Sequence, residues 1–198
     1  MPPIAHVPGI LLQPEPRWRL IEGESGSAAR LLLGYVAVLA LIPVAAWVVG
    51  VSIIGVPVPT GTFRVPVATA VASVAIGYVA SFAIVYLVAF VADALAPTFD
   101  SKRNFANALK LSVYSHTPFF VAGIFFLYPR LRFVTYFLGF YGLYLAWVGL
   151  PVLLKTPREK SLTFAIAILM SAVIVSIILG IVVNQVSGIT GARRTLPI

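Results

Sequence analysis

Tyr114-Ser115-His116-Thr117-Pro118 sets four hydrogen-bonding side chains beside a proline, within an apolar run from Asn104 to Leu127. Proline has no N–H, so Pro118 leaves the carbonyl of Tyr114 without its helical partner. A bare carbonyl in hydrocarbon costs on the order of several kcal/mol. It must therefore take a donor from a hydroxyl, a neighbouring helix or water. Ser115, His116 and Thr117 surround it and Ser112 lies just upstream. Tyr141 and Tyr144, three apart in the next apolar run, can bring hydroxyls to the same depth. Two readings stand side by side. One is a proline kink repaired by hydroxyls. The other is a polar midplane site on a ligand or ion pathway, since unwound backbone at midplane is where transporters build sites. His116 sharpens the second, because its charge changes near neutral pH. One histidine without cysteine partners does not make a zinc site, and no metal is assigned.

Asp93, near the end of the preceding run, is the other candidate. It either caps or pairs with Lys102 or Arg103, or, buried in a bundle, acts on the same pathway. Catalytic signatures are missing from the sequence. His6 and His116 are its two histidines, and it holds no Walker loop, no metalloprotease His-Glu pair and no Gly-x-Ser-x-Gly elbow. No enzyme, catalytic residue or cofactor is expected.

The elements that must position these residues follow from composition. Apolar residues make up 60% of the 198 and charged residues 10%, far from the balance of a soluble domain. A spanning helix needs about 20 apolar residues. Five such runs predict an all-α, five-helix transmembrane bundle, with spans near 31–54, 67–95, 104–127, 131–154 and 162–184. The whole transmembrane domain covers 30–185, between a short amphipathic segment, 1–29, and a short tail, 186–198. No basic leader region precedes a small-residue cleavage site, so a cleaved signal peptide is not expected. Trp18, with Leu20 and Ile21 among Arg17, Arg19 and Glu22, reads as an interfacial turn at headgroup depth. Pro43 should kink the first span and free the carbonyl of Leu39. Residues 55–64, rich in proline and glycine, read as a loop.

Small residues recur four apart in Ser73, Gly77 and Ser81 and again in Ala172, Ser176 and Gly180. Gly142, Ala146 and Gly149 share a face of the fourth span. Such seams permit close packing, within one chain or in a homo-oligomer. Basic residues divide nine against five between the two sides, which puts the N-terminus in the cytoplasm and the C-terminus outside. The cytoplasmic face then carries Trp18, Asp100, Lys102, Arg103, Lys155, Arg158 and Lys160, together with all six acids. Its expected partners are anionic lipid headgroups and a membrane or cytoplasmic protein. Basic residues at span ends do not call for nucleic acid despite the net charge of +8.

The run 108–118, Ala-Leu-Lys-Leu-Ser-Val-Tyr-Ser-His-Thr-Pro, resembles the Tyr-Ser-x-Thr-Pro signature of the bacterial Yip-domain family. Tyr141-Gly142-Leu143-Tyr144-Leu145, Gly149-Leu150-Pro151 and the run Lys155-Thr156-Pro157-Arg158-Glu159-Lys160 are similar to its fourth helix and following loop. Leu11-Leu12-Gln13-Pro14 through Glu22 resembles its N-terminus, and Leu95-Ala96-Pro97-Thr98-Phe99 its second loop. The resemblance implies five spans, a cytoplasmic N-terminus and an inner-membrane location. Eukaryotic members of this type, the Ypt/Rab-interacting membrane proteins, are associated with vesicle trafficking, membrane shaping and small-GTPase partners. The acidic Asp-Leu-Tyr-Gly-Pro motif of those relatives is missing here, so GTPase binding is not carried over. His116 stands at the variable position of the signature and inherits no role. The resemblance implies a non-enzymatic organiser of membrane or partner proteins, with a small transporter or channel as the alternative.

Overall fold

The computed structural model describes residues 2–24 and 27–186 and is mostly helical. Part of the expected hinge, Ser25 and Gly26, and the tail with Arg193 and Arg194 lie outside the described residues. Among the described residues, four helical stretches are long and apolar enough to cross a membrane: Ala28–Ile54, Val67–Phe99, Arg132–Leu153 and Arg158–Ile181.

The chain opens with a 3-10 turn, Pro3–His6, followed by α1 (Val7–Leu12) and α2 (Pro14–Gly23). Gln13, at φ −140 and ψ 66, turns between the two, and Pro14 starts α2 at a position where its missing N–H costs nothing. The first long stretch strings together α3 (Ala28–Leu31), a π-helix, Leu32–Val36, α4 (Ala37–Leu39), α5 (Leu41–Val49) and a second π-helix, Gly50–Ile54. Ser27 caps it by accepting from the N–H of Arg30 at 3.2 Å. The break at Ala40 sits where Pro43 is expected to disturb the helix. Gly55, at φ +89, then reverses the chain into a two-stranded hairpin, β1 (Val56–Val58) and β2 (Gly61–Phe63), within the expected loop.

After α6 (Val67–Leu95) and a 3-10 turn, Ala96–Phe99, comes the passage expected as the third span. It is not one helix. It divides into α7 (Phe105–Ser115), α8 (Thr117–Ala122) and a 3-10 segment, Gly123–Leu127, so the helix over 104–127 is broken where a proline kink was expected. The division falls at His116, two residues before Pro118 and its missing donor. The fourth passage is likewise two pieces, α9 (Arg132–Gly139) and α10 (Tyr141–Leu153), and α11 (Arg158–Val186) follows.

Large apolar side chains such as Val79, Phe90, Phe137, Ile177 and Ile181 face outward, as a hydrocarbon solvent allows. The core lies elsewhere than an interfacial anchor would put it. Ile10, Trp18 and Ile21 of the N-terminal hairpin are fully buried against the bundle. Trp18, expected as an interfacial anchor, is thus enclosed by the protein's own core. Glycine at 149 admits it: a Cβ there would stand 2.8 Å from the indole and 2.7 Å from Leu111. Burial of each large apolar side chain is worth roughly 1.5–3 kcal/mol relative to water, which suffices to hold a short hairpin down.

Candidate functional site

At the helix break, the Tyr114 carbonyl that Pro118 abandons accepts from the Thr117 hydroxyl at 2.7 Å. That hydroxyl, having spent its proton, accepts from Tyr35 Oη at 2.7 Å. Thr117 and Tyr35 are both fully buried, so the chain Tyr35 to Thr117 to Tyr114 carbonyl satisfies every group without water. Thr117 and Pro118 thus act as the repaired-kink reading describes. Tyr35 is the member that sequence reading passed over.

Tyr114 itself points into a cluster of rings. His6, Trp18 and Tyr35 surround it edge-on, with centroids 5.6, 6.1 and 4.8 Å away. His6 comes from the N-terminal hairpin and donates from Nε2 to the Glu24 carboxylate at 3.1 Å. Its Nδ1 is buried with no hydrogen-bond partner among the described residues, a position that suits a lone pair and not a second N–H. Burial pushes the imidazole below its ordinary value, and the Glu24 carboxylate works in the opposite direction.

Lys110 turns inward, where a lysine near a span end could instead snorkel to the headgroups. Its ammonium donates to the carbonyls of Ile21, Glu22 and Glu24 at 2.9, 3.2 and 2.7 Å, capping the end of α2. A cation belongs there because the last carbonyls of a helix lack partners and carry its negative end. Tyr141 donates to the carbonyl of Leu11 at 3.0 Å and not to the Tyr114 carbonyl, so the fourth passage also grips the hairpin. Tyr144, 38% exposed, packs its ring on Tyr141 and Trp147.

Asp93 is buried and receives Arg103 Nη2 at 3.1 Å and Nε at 3.3 Å, as the pairing reading requires. Asp93, Tyr114 and Tyr144 thus sit in three separate surroundings. Charged residues of three segments build one polar face. Lys160 pairs with Asp100, and Lys155 with Glu22. The backbone N–H of Lys102 donates to the Leu154 carbonyl at 2.8 Å, and Ser101 to the Thr156 hydroxyl at 2.8 Å. Asn107 Nδ2 reaches the Leu153 carbonyl at 2.9 Å. The N-terminal hairpin, the 96–103 linker and the 154–160 loop are thereby locked together. Lys102, Arg103, Lys155, Arg158 and Lys160 lie exposed along it. Among the described residues, no group of three or more His, Cys, Asp or Glu is placed to hold a metal ion.

Ser115 and His116 face a different feature, a groove of about 540 Å³ between α6, α8, α10 and α11. The small residues Ala146, Ala172 and Ser176 line it, and Gly142 lets α10 come close to the Ser115 carbonyl. The seams that sequence reading assigned to packing line this groove in part.

Comparison with known proteins agrees with this architecture. The chain is 27% identical over 177 residues to "Inner membrane protein YohC" of Escherichia coli strain K12, covering 87% of this chain and 90% of the relative. The protein of the same name in Escherichia coli O6:H1 matches equally. No solved structure matches. Residues 9–181 match the Yip1 domain. With four membrane-capable helices and inner-membrane relatives, this is a multi-pass protein of the inner membrane, and it belongs to the Yip1 domain family.

Proposed function

We propose that the protein is a non-enzymatic scaffold that organises membrane or partner proteins through the polar face built by its hairpin, linker and loop. In this reading the chain crosses the membrane five times, with the broken α7–α8 passage as the third crossing. The N-terminus lies in the cytoplasm, where the basic residues concentrate. The carrying observation is the locking of three distant segments into one surface by Lys155–Glu22, Lys160–Asp100 and Lys110 on α2. A surface that rigid, lined by exposed Lys102, Arg103, Arg158 and Lys160, suits anionic headgroups or an acidic protein surface. The transport reading loses support because Tyr114 is enclosed by rings and Asp93 is already paired.

Photo-crosslinkers at positions 102, 103 and 158, compared with crosslinkers at Tyr136 and Phe137 on the other side, test this in whole cells. Discrete protein adducts or anionic-lipid adducts are expected at the first set and not at the second. Proteoliposomes of the purified protein should show no cation flux. A flux that falls in Asp93→Asn or Tyr114→Phe would replace the scaffold with a transporter.

A further inference from the structure

The groove beside the helix break is not used by the polar face, and its chemistry is specific. No lysine, arginine, aspartate or glutamate lines it, so whatever it holds is uncharged there. Of its polar lining, Ser81 and Ser112 are spent on the Tyr78 and Val85 carbonyls and Tyr136 and Ser176 are exposed, which leaves Ser115 and His116 beside the break. His116 Nδ1 donates to the Ser112 carbonyl at 2.7 Å, because a carbonyl can only accept, and this leaves Nε2 as an acceptor. Next to it, Ser115 Oγ is buried with no hydrogen-bond partner among the described residues. An unpaired hydroxyl and an unpaired imidazole nitrogen in an apolar surrounding are costly unless something completes them. The ligand that does so presents one group that both accepts, from Ser115, and donates, to His116.

Size separates the occupants. A helix is about 10–12 Å across, so a neighbouring copy would use up 540 Å³ in roughly one turn. The volume falls instead within the range of about 300–1,000 Å³ typical of small-ligand pockets. We infer that the groove is a binding site for a single-chain lipid with a neutral hydroxyl head, a long-chain alcohol whose hydroxyl bridges Ser115 and His116 and whose chain runs between Ala172 and Ser176 on one side and Phe119 and Phe140 on the other. A fatty acid of equal length is disfavoured because its carboxylate would meet no cation.

The test uses the full chain in nanodiscs and a diazirine-bearing hexadecanol, with unlabelled hexadecanol, hexadecane and palmitate as competitors. Labelling should map to groove positions on α6, α10 and α11. Hexadecanol should compete about fivefold better than hexadecane, the gain expected of one to two net hydrogen bonds. Ser115→Ala and His116→Phe should each erase that preference, the second variant serving where the first fails to fold. Ser176→Trp, at an exposed position on the groove wall, should block labelling while the protein stays monodisperse. Equal competition by hexadecane would mean that bulk acyl chains only fill the groove, and would overturn the site. Equal or better competition by palmitate, or labelling that survives Ser176→Trp, would overturn it too.

Discussion

Replacing Thr117 by valine keeps the shape of the side chain and deletes one hydroxyl at the centre of the repaired break. Two groups then lose partners: the Tyr114 carbonyl, which accepted at 2.7 Å, and Tyr35 Oη, which donated at 2.7 Å. Leaving one buried polar group unsatisfied costs about 1–3 kcal/mol, though hydrogen bonds between membrane helices average nearer 0.6 kcal/mol. Two orphans at the lower end of the first range give about 2 kcal/mol for Thr117→Val. Tyr35→Phe leaves the Thr117-to-Tyr114 bond intact and should cost about 0.5–1 kcal/mol. In the double variant no tyrosine hydroxyl remains to be orphaned, so its cost falls below the sum of the singles by about 1 kcal/mol. Reversible unfolding in mixed micelles, followed by tryptophan emission, measures all four corners of this cycle. Thr117→Ser should recover most of the loss. A valine variant as stable as the parent, or a cycle that is strictly additive, would refute the claim that this hydroxyl completes the proline break.

The N-terminal hairpin gives three further predictions. Gly149→Ala pushes a methyl to within 3.0 Å of the Trp18 ring and should cost about 1–3 kcal/mol, visible as a red shift of buried tryptophan emission. Lys110→Met removes the donor to three carbonyls at and just past the end of α2 and should raise the maleimide labelling of an Ile10→Cys reporter severalfold, whereas Arg103→Met should not. Burial holds the His6 pKa below its unfolded value of about 6.5, so the undocked hairpin binds protons more readily. The stability that His6 contributes is therefore complete above pH of about 6.5 and is lost as pH falls through the depressed value. Labelling of the same cysteine should rise in that acid window, and His6→Gln should flatten the rise.

What could be read from residues alone follows the range of the physics. The Pro118 break and its Thr117 answer were legible because proline chemistry acts within four residues. Tyr35 was not, since it stands 82 positions from Thr117 and no local rule ties them. Asp93 with Arg103 was legible as one of two choices, being ten residues apart across a single turn. Trp18 misled because a tryptophan among arginines suits a headgroup layer and a core equally well. What decides is Gly149, the gap that receives it, and its seam looked like ordinary helix packing. The role of Lys110 was not legible for the same reason: a lysine near a span end can snorkel, and only the folded hairpin supplies three carbonyls to hold it.

The seating of Trp18 also bears on how the protein is made. The ribosome delivers this indole long before it delivers Leu111 and Gly149, the surfaces that enclose it. The leading hairpin cannot seat its indole until the helix that carries Gly149 has been made. Closing the bundle is thus reserved for the end of synthesis, and a chain that stalls before residue 149 leaves its first aromatic anchor without a berth.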